Sequence, residues 1–128
     1  SHSNIYDPQY VVVVDESLLE SVDVTSGLKE DGAILVNTER SKEEIIPHLK
    51  GYKGDVYVID AKKVSMATLG KYFPNTPLLA AIVKVANIMD EETFLREMQA
   101  SFKHKFASKP EVIDGNMKAL EMALKEVK

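Results

Sequence analysis

Three apolar runs in this sequence each close on a side chain able to do chemistry. Tyr10-Val11-Val12-Val13-Val14 ends at Asp15, Ala33-Ile34-Leu35-Val36 at Asn37, and Val56-Tyr57-Val58-Ile59 at Asp60. Runs this apolar, rich in β-branched residues, predict strands buried on both faces of a parallel sheet. Ligands of such sheets bind beyond the carboxyl ends of the strands, where these three residues fall. Asp15 and Asp60 are the nearest approach to a carboxylate pair, the arrangement that general acid–base chemistry uses. Helix capping accounts for each of them more simply, because either aspartate stands just before a helical turn. The three histidines, at positions 2, 48 and 104, lack the spacing of metal ligands. Ser17, Ser26 and Ser65 sit in no nucleophile elbow, and neither usual Gly-rich phosphate loop is present. No catalytic residue and no metal site can be assigned from these patterns.

The elements that would position these residues alternate. A weak helical turn through Ser17-Leu18-Leu19 follows the first run, and Asp15 is its candidate N-cap. Ser41-Lys42-Glu43-Glu44 has the capping-box pattern, and Pro47 makes the helix it opens short or kinked. The stretch from Gly54 to Ile88 organises the chain. Its strand is predicted for the middle of the sheet, and a helix stopped by Gly70 comes next. Thr76 is then a candidate N-cap and Pro77 a first helical residue for the most apolar helix, whose only charge from Leu78 to Ile88 is Lys84. Asn87 provides its left-handed stop. Asp90-Glu91-Glu92 opens a helix carrying Phe94, Leu95, Met98 and Phe102 as core positions. Pro110 opens the last helix, with Val112, Ile113, Met117, Leu120, Leu124 and Val127 as its apolar stripe. Gly115 inside that stripe points to close packing or a nearby ligand. Residues 4–9 read as a turn-rich lead-in in which Pro8 drives Asp7 toward extended geometry. The fold class is therefore α/β: a Rossmann-like parallel sheet covered by helices, with a helical C-terminal segment, forming one domain over residues 1–128.

Composition excludes several roles. With 45% hydrophobic and 28% charged residues, the chain of 128 residues has the make-up of an ordinary globular domain. A net charge of −4 argues against nucleic acid as a partner. Lys103-His104-Lys105, the one basic cluster, reads as cations at a helix C-terminus. There is no cysteine, hence no iron–sulfur ligation or disulfide, which fits a cytoplasmic address. No apolar stretch is long enough to span a membrane. Ser1-His2-Ser3 carries no initiator Met and reads as the start of a processed or partial chain.

Five motifs occur in one order: YVVVVDESLL, GLKEDGAILVNT, VYVIDA, the Pro74-Asn75-Thr76 helix start, and Asn116-x-x-Ala119. This series resembles the gamma domain, or gamma subunit, of the 2-oxoacid:ferredoxin oxidoreductases of the pyruvate and ketoisovalerate type, over nearly the whole chain from Ile5. Gamma domains begin with a Gly-rich strand-to-helix turn that has no counterpart here, so the chain is expected to be N-terminally truncated, corresponding to the later two-thirds of the domain. Ala81 and Asn87 stand where the family usually has glycine. Asn87 preserves the left-handed stop.

The resemblance implies a specific role. These enzymes oxidatively decarboxylate a 2-oxoacid with coenzyme A and pass electrons to ferredoxin. Thiamine diphosphate, magnesium and iron–sulfur clusters belong to other subunits, and none is bound by this chain alone. The gamma component is non-catalytic, helps to hold coenzyme A and assembles with alpha, beta and delta subunits. Asn75 and Asn116 are the positions carried over as coenzyme A contacts, expected to approach one another beyond the strand ends. A partial domain would leave a sheet edge and apolar surface uncovered, which predicts self-association. An independent α/β module for a nucleotide-like ligand and a purely structural assembly domain are the alternative readings.

Overall fold

The computed structural model describes residues 9–128. The lead-in before Gln9, with Asp7 and Pro8, and His2 lie outside the described residues. Strands β1 (Tyr10–Val13), β2 (Ala33–Asn37) and β3 (Asp55–Ile59) form a parallel sheet in the order β1-β2-β3. Val11 pairs with Ile34, and Ile34 with Val56. The helices are α1 (Leu18–Ser21), α2 (Lys42–Ile45), α3 (Ala61–Leu69), α4 (Asn75–Val85), α5 (Glu91–Lys105) and α6 (Pro110–Glu126).

Side chains alternate across a strand, and the alternation divides the core in two. Ile34, Val36, Val13, Val56 and Val58 pack with Leu19, Ile45 and Leu49 on one face. Leu35 and Ile59 face the larger cluster built from α3 to α6. The sheet is thus covered on both sides, as the apolar runs predict, and the α/β class holds.

Two positions in the sheet differ from the expectation. The middle strand is β2, with Ala33 to Val36 all buried, rather than β3. Among the described residues β1 is an edge strand and only partly buried: Val13 is buried, Val11 and Val12 are half-buried against opposite faces, and Tyr10 is 45% exposed. A run of valines suits an edge and a centre equally well, and the choice depends on partners distant in sequence. The outer side of β3 is partly closed: Val58 and Lys128 exchange both backbone hydrogen bonds at 3.0 Å. That reciprocal exchange is the antiparallel pattern.

Local signals are largely realised. Glu44 N–H donates to Ser41 Oγ at 3.2 Å and Ser41 N–H to Glu44 Oε1 at 3.1 Å, completing the capping box. The bond from the Ser41 backbone holds the Glu44 carboxyl below its ordinary pKa. After this one turn, Pro47 converts the chain to a 3-10 helix over Ile46–His48. Asp60 caps α3 by accepting the Lys63 N–H at 2.9 Å, and Gly70 ends the helix at φ 71°. Asp90 caps α5 through the Thr93 N–H, which pulls its own pKa down. Asn87 adopts φ 52°, with Ile88 N–H on Val83 O and Asn87 N–H on Lys84 O. That pair of bonds is the Schellman arrangement. Lys103, His104 and Lys105 occupy the last turn of α5.

Two capping assignments are corrected. Asp15 does not hold the N-cap position of α1, which is Ser17; its Oδ1 accepts the Ser17 N–H at 3.0 Å in a turn just ahead of the helix. That bond lowers its pKa. Helix α4 starts one residue earlier than Thr76, at Asn75, with Pro74 as N-cap and no side-chain cap. Pro77 still lies in the first turn, where a missing N–H leaves no bond unmade.

Candidate functional site: a cleft walled by helix ends

Thr76 lies inside the first turn of α4 rather than at its N-cap, and its hydroxyl is turned to Asn116. Thr76 Oγ1 donates to Asn116 Oδ1 at 2.9 Å, and Asn116 Nδ2 donates to Val112 O at 2.9 Å. Thr76 is 8% and Asn116 7% exposed, so this pair is a polar link inside a largely apolar interface between α4 and α6. Gly115 permits the neighbouring contact. A Cβ there would lie 3.1 Å from Thr68 O and 3.2 Å from Leu69 Cδ2, tighter than side chains normally pack. The close packing anticipated for Gly115 is therefore with the end of α3.

These residues floor a cleft of about 790 Å³ between the end of α3, the start of α4, the second half of α5 and the start of α6. Asn75 and Asn116 both line it. Their shares differ: Asn75 is exposed, whereas Asn116 is buried and already holds two protein partners. The loop between α3 and α4 is fixed by Ser65, whose Oγ accepts the Phe73 N–H at 3.2 Å and donates to Lys62 O at 3.2 Å. This sets Phe73 and Lys71 at the mouth. Phe102, Phe106, Leu79 and Met98 supply apolar wall, and Lys105 and Lys109 add positive charge. A volume of this size, with an apolar wall and a few convergent polar groups, is ordinary for a small-molecule site. The first turn of α4 also has backbone N–H groups without intrahelical acceptors, at the positive end of the helix.

The strand-end residues are placed elsewhere. Asp15, Asn37 and Asp60 line a separate cleft of about 380 Å³ with Val14 and Tyr72. Asn37 ties the sheet edge together: its Nδ2 donates to Val14 O at 3.2 Å and its Oδ1 accepts the Ala61 N–H at 3.0 Å. The two aspartates serve turns and caps there. Both asparagines line instead a cleft among helix ends that has no strand residue in its lining.

The sequence reading missed Lys71, Lys109, Phe73 and Phe106, and took Lys105 only as a helix-end cation. They fall in two stretches, the α3–α4 connection and the end of α5 with the connection after it, which are far apart in sequence and come together only in the fold. Among the described residues no group of three or more His, Cys, Asp or Glu is placed to hold a metal. His48 Nδ1 is 3.3 Å from Glu20. Among the same residues no helix is long and apolar enough to cross a membrane.

The fold and cleft define a class: a parallel α/β domain with a ligand-sized recess among helix ends. Residues 1–126 match the family described as Pyruvate ferredoxin/flavodoxin oxidoreductase, and the chain belongs to that family. It is 41% identical over 107 residues to the Pyruvate/ketoisovalerate oxidoreductases common subunit gamma of Pyrococcus abyssi, covering 84% of this chain and 58% of the relative. It is 38% identical over 126 residues to pyruvate synthase subunit PorC of Thermotoga maritima, covering 98% of this chain and 64% of that protein. The crystal structure of pyruvate oxidoreductase subunit PORC from Thermotoga maritima superposes with a TM-score of 0.78 at 34% identity, over 99% of this chain and 67% of the other. The chain thus spans about three-fifths of the length of these curated relatives. The resemblance read from the five sequence motifs is borne out.

Proposed function

We propose that the chain serves as a non-catalytic gamma component of a 2-oxoacid:ferredoxin oxidoreductase of the pyruvate synthase type. In this role it supports oxidative decarboxylation of a 2-oxoacid to an acyl-coenzyme A by helping to hold coenzyme A. The observation that carries the reading is the shared cleft of Asn75 and Asn116. An amide offers both donors and an acceptor to the polar groups of such a ligand. Thiamine diphosphate, magnesium and iron–sulfur clusters are assigned to alpha, beta and delta partners, with ferredoxin reached through them and the assembly in the cytoplasm. The chain's own cysteine-free sequence is consistent with that division of labour.

The purified chain alone, given a 2-oxoacid, coenzyme A and thiamine diphosphate, is expected to reduce neither ferredoxin nor a viologen dye. Turnover should appear only when the partner subunits are added. Dye reduction by the chain alone would remove the reading.

Self-association belongs to the same proposal. The edge strand β1 and its surroundings expose Tyr10, Val14, Leu18 and Val22, each between 44% and 51%. An apolar edge of this kind favours pairing with another chain. Light scattering of the purified chain well above micromolar concentration should report a dimer or larger. A monodisperse monomer would count against it.

A further inference from the structure

The cleft carries a charge pattern that the asparagines do not explain. The chain is acidic, with net charge −4, yet Lys71, Lys105 and Lys109 all line this one recess, with Glu111 the only carboxylate among its lining residues. Four of the cations outside the recess sit in ion pairs, Arg40 with Glu16, Lys63 with Glu126, Lys84 with Glu91 and Lys118 with Asp114. Among the described residues no such pair involves any of the three cleft lysines. Two of them instead rest over aromatic rings, Lys71 Nζ at 5.8 Å from the Phe73 centroid and Lys105 Nζ at 5.3 Å from that of Phe106. Lysines arranged without carboxylate partners beside exposed aromatic surface match a ligand with several negative charges and a flat ring. The start of α4 adds its positive end to the same side.

We infer that Lys71, Lys105 and Lys109 hold the phosphate groups of the adenine nucleotide half of coenzyme A, with Phe73 offering its ring to the adenine. This rests on the coenzyme A reading above and adds to it which half of the molecule the cleft recognises. The uncharged pantetheine arm gains nothing from the lysines and is left to reach out of the cleft toward the partner subunits. Attraction between an exposed ammonium and a phosphate is screened by salt, so affinity should weaken as ionic strength rises.

The test is calorimetric titration of the chain assembled with its partner subunits, using coenzyme A, adenosine 3′,5′-bisphosphate and pantetheine as separate probes. Adenosine 3′,5′-bisphosphate should bind and displace coenzyme A, whereas pantetheine should do neither at comparable concentration. Lys71→Gln, Lys105→Gln and Lys109→Gln should each weaken coenzyme A binding about threefold to tenfold, and the triple variant by roughly a hundredfold. Lys118→Gln, outside the cleft, should change nothing. Parent-like binding of coenzyme A by the folded triple variant, or displacement by pantetheine as effective as by the nucleotide, overturns the inference while leaving the coenzyme A reading intact. Lysine-dependent binding of the bisphosphate without binding of coenzyme A keeps the phosphate assignment and removes the coenzyme. Absence of binding by every probe removes both.

Discussion

Leu120→Ala is expected to destabilise the chain by about 2–5 kcal/mol, the range for truncating a buried leucine. Leu120 is 0% exposed and lies in the middle of α6, the helix against which α3, α4 and α5 all pack. The core cluster it belongs to includes Ala80, Ala81, Ala119 and Ala123, all fully buried. Alanines bring the helix backbones close together but cannot extend to fill a void. The site should therefore collapse poorly, and the cost should fall toward the upper part of the range. Urea denaturation reads it as a lower midpoint with the slope unchanged, since the surface exposed on unfolding hardly alters. A loss below about 1 kcal/mol would mean that α6 is not the centre of this core.

Asn116→Leu carries the second large effect. It removes the acceptor of the buried Thr76 hydroxyl and the donor to Val112 O in a single step. Leaving a buried polar group without a partner costs about 1–3 kcal/mol. Thr76→Val in the same background removes the orphaned hydroxyl while keeping the side chain's shape, so the double variant should recover much of the loss. The double-mutant cycle is expected to give a coupling of about 1 kcal/mol or more. Additive losses would show that the two side chains stabilise the interface separately. The cycle also separates the two roles of Asn116, because stability reports on its protein partners and ligand affinity on whatever remains.

Much of this architecture is legible in the sequence wherever the cause is local. The capping box at Ser41 and Glu44, the caps at Asp60 and Asp90, and the left-handed stops at Gly70 and Asn87 each depend on residues within one turn. The strands are legible from their β-branched runs. Their order is not, because nothing in Val56-Tyr57-Val58-Ile59 records that β2 takes the centre. Thr76 shows the same limit. Its type and its place before a proline suggest an N-cap, but the helix begins one residue earlier and the hydroxyl donates to a side chain 40 residues away. The asparagines of the cleft came from motif resemblance, and the lysines could not come from the sequence at all, since they gather only when four helices and their connections converge.

The central claim is that this cleft serves coenzyme A, and Asn75 is the residue that tests it most cleanly. It lines the cleft but is exposed, unlike Asn116, so its loss should disturb the fold little. The decisive measurement is the Michaelis constant for coenzyme A of the assembled oxidoreductase carrying Asn75→Ala, with that for the 2-oxoacid measured in parallel. Losing one hydrogen bond of about 0.5–1.5 kcal/mol should raise the constant for coenzyme A from a few-fold to roughly tenfold and leave that for the 2-oxoacid nearly unchanged. A normally folded variant with an unaltered constant for coenzyme A would contradict the assignment of the cleft.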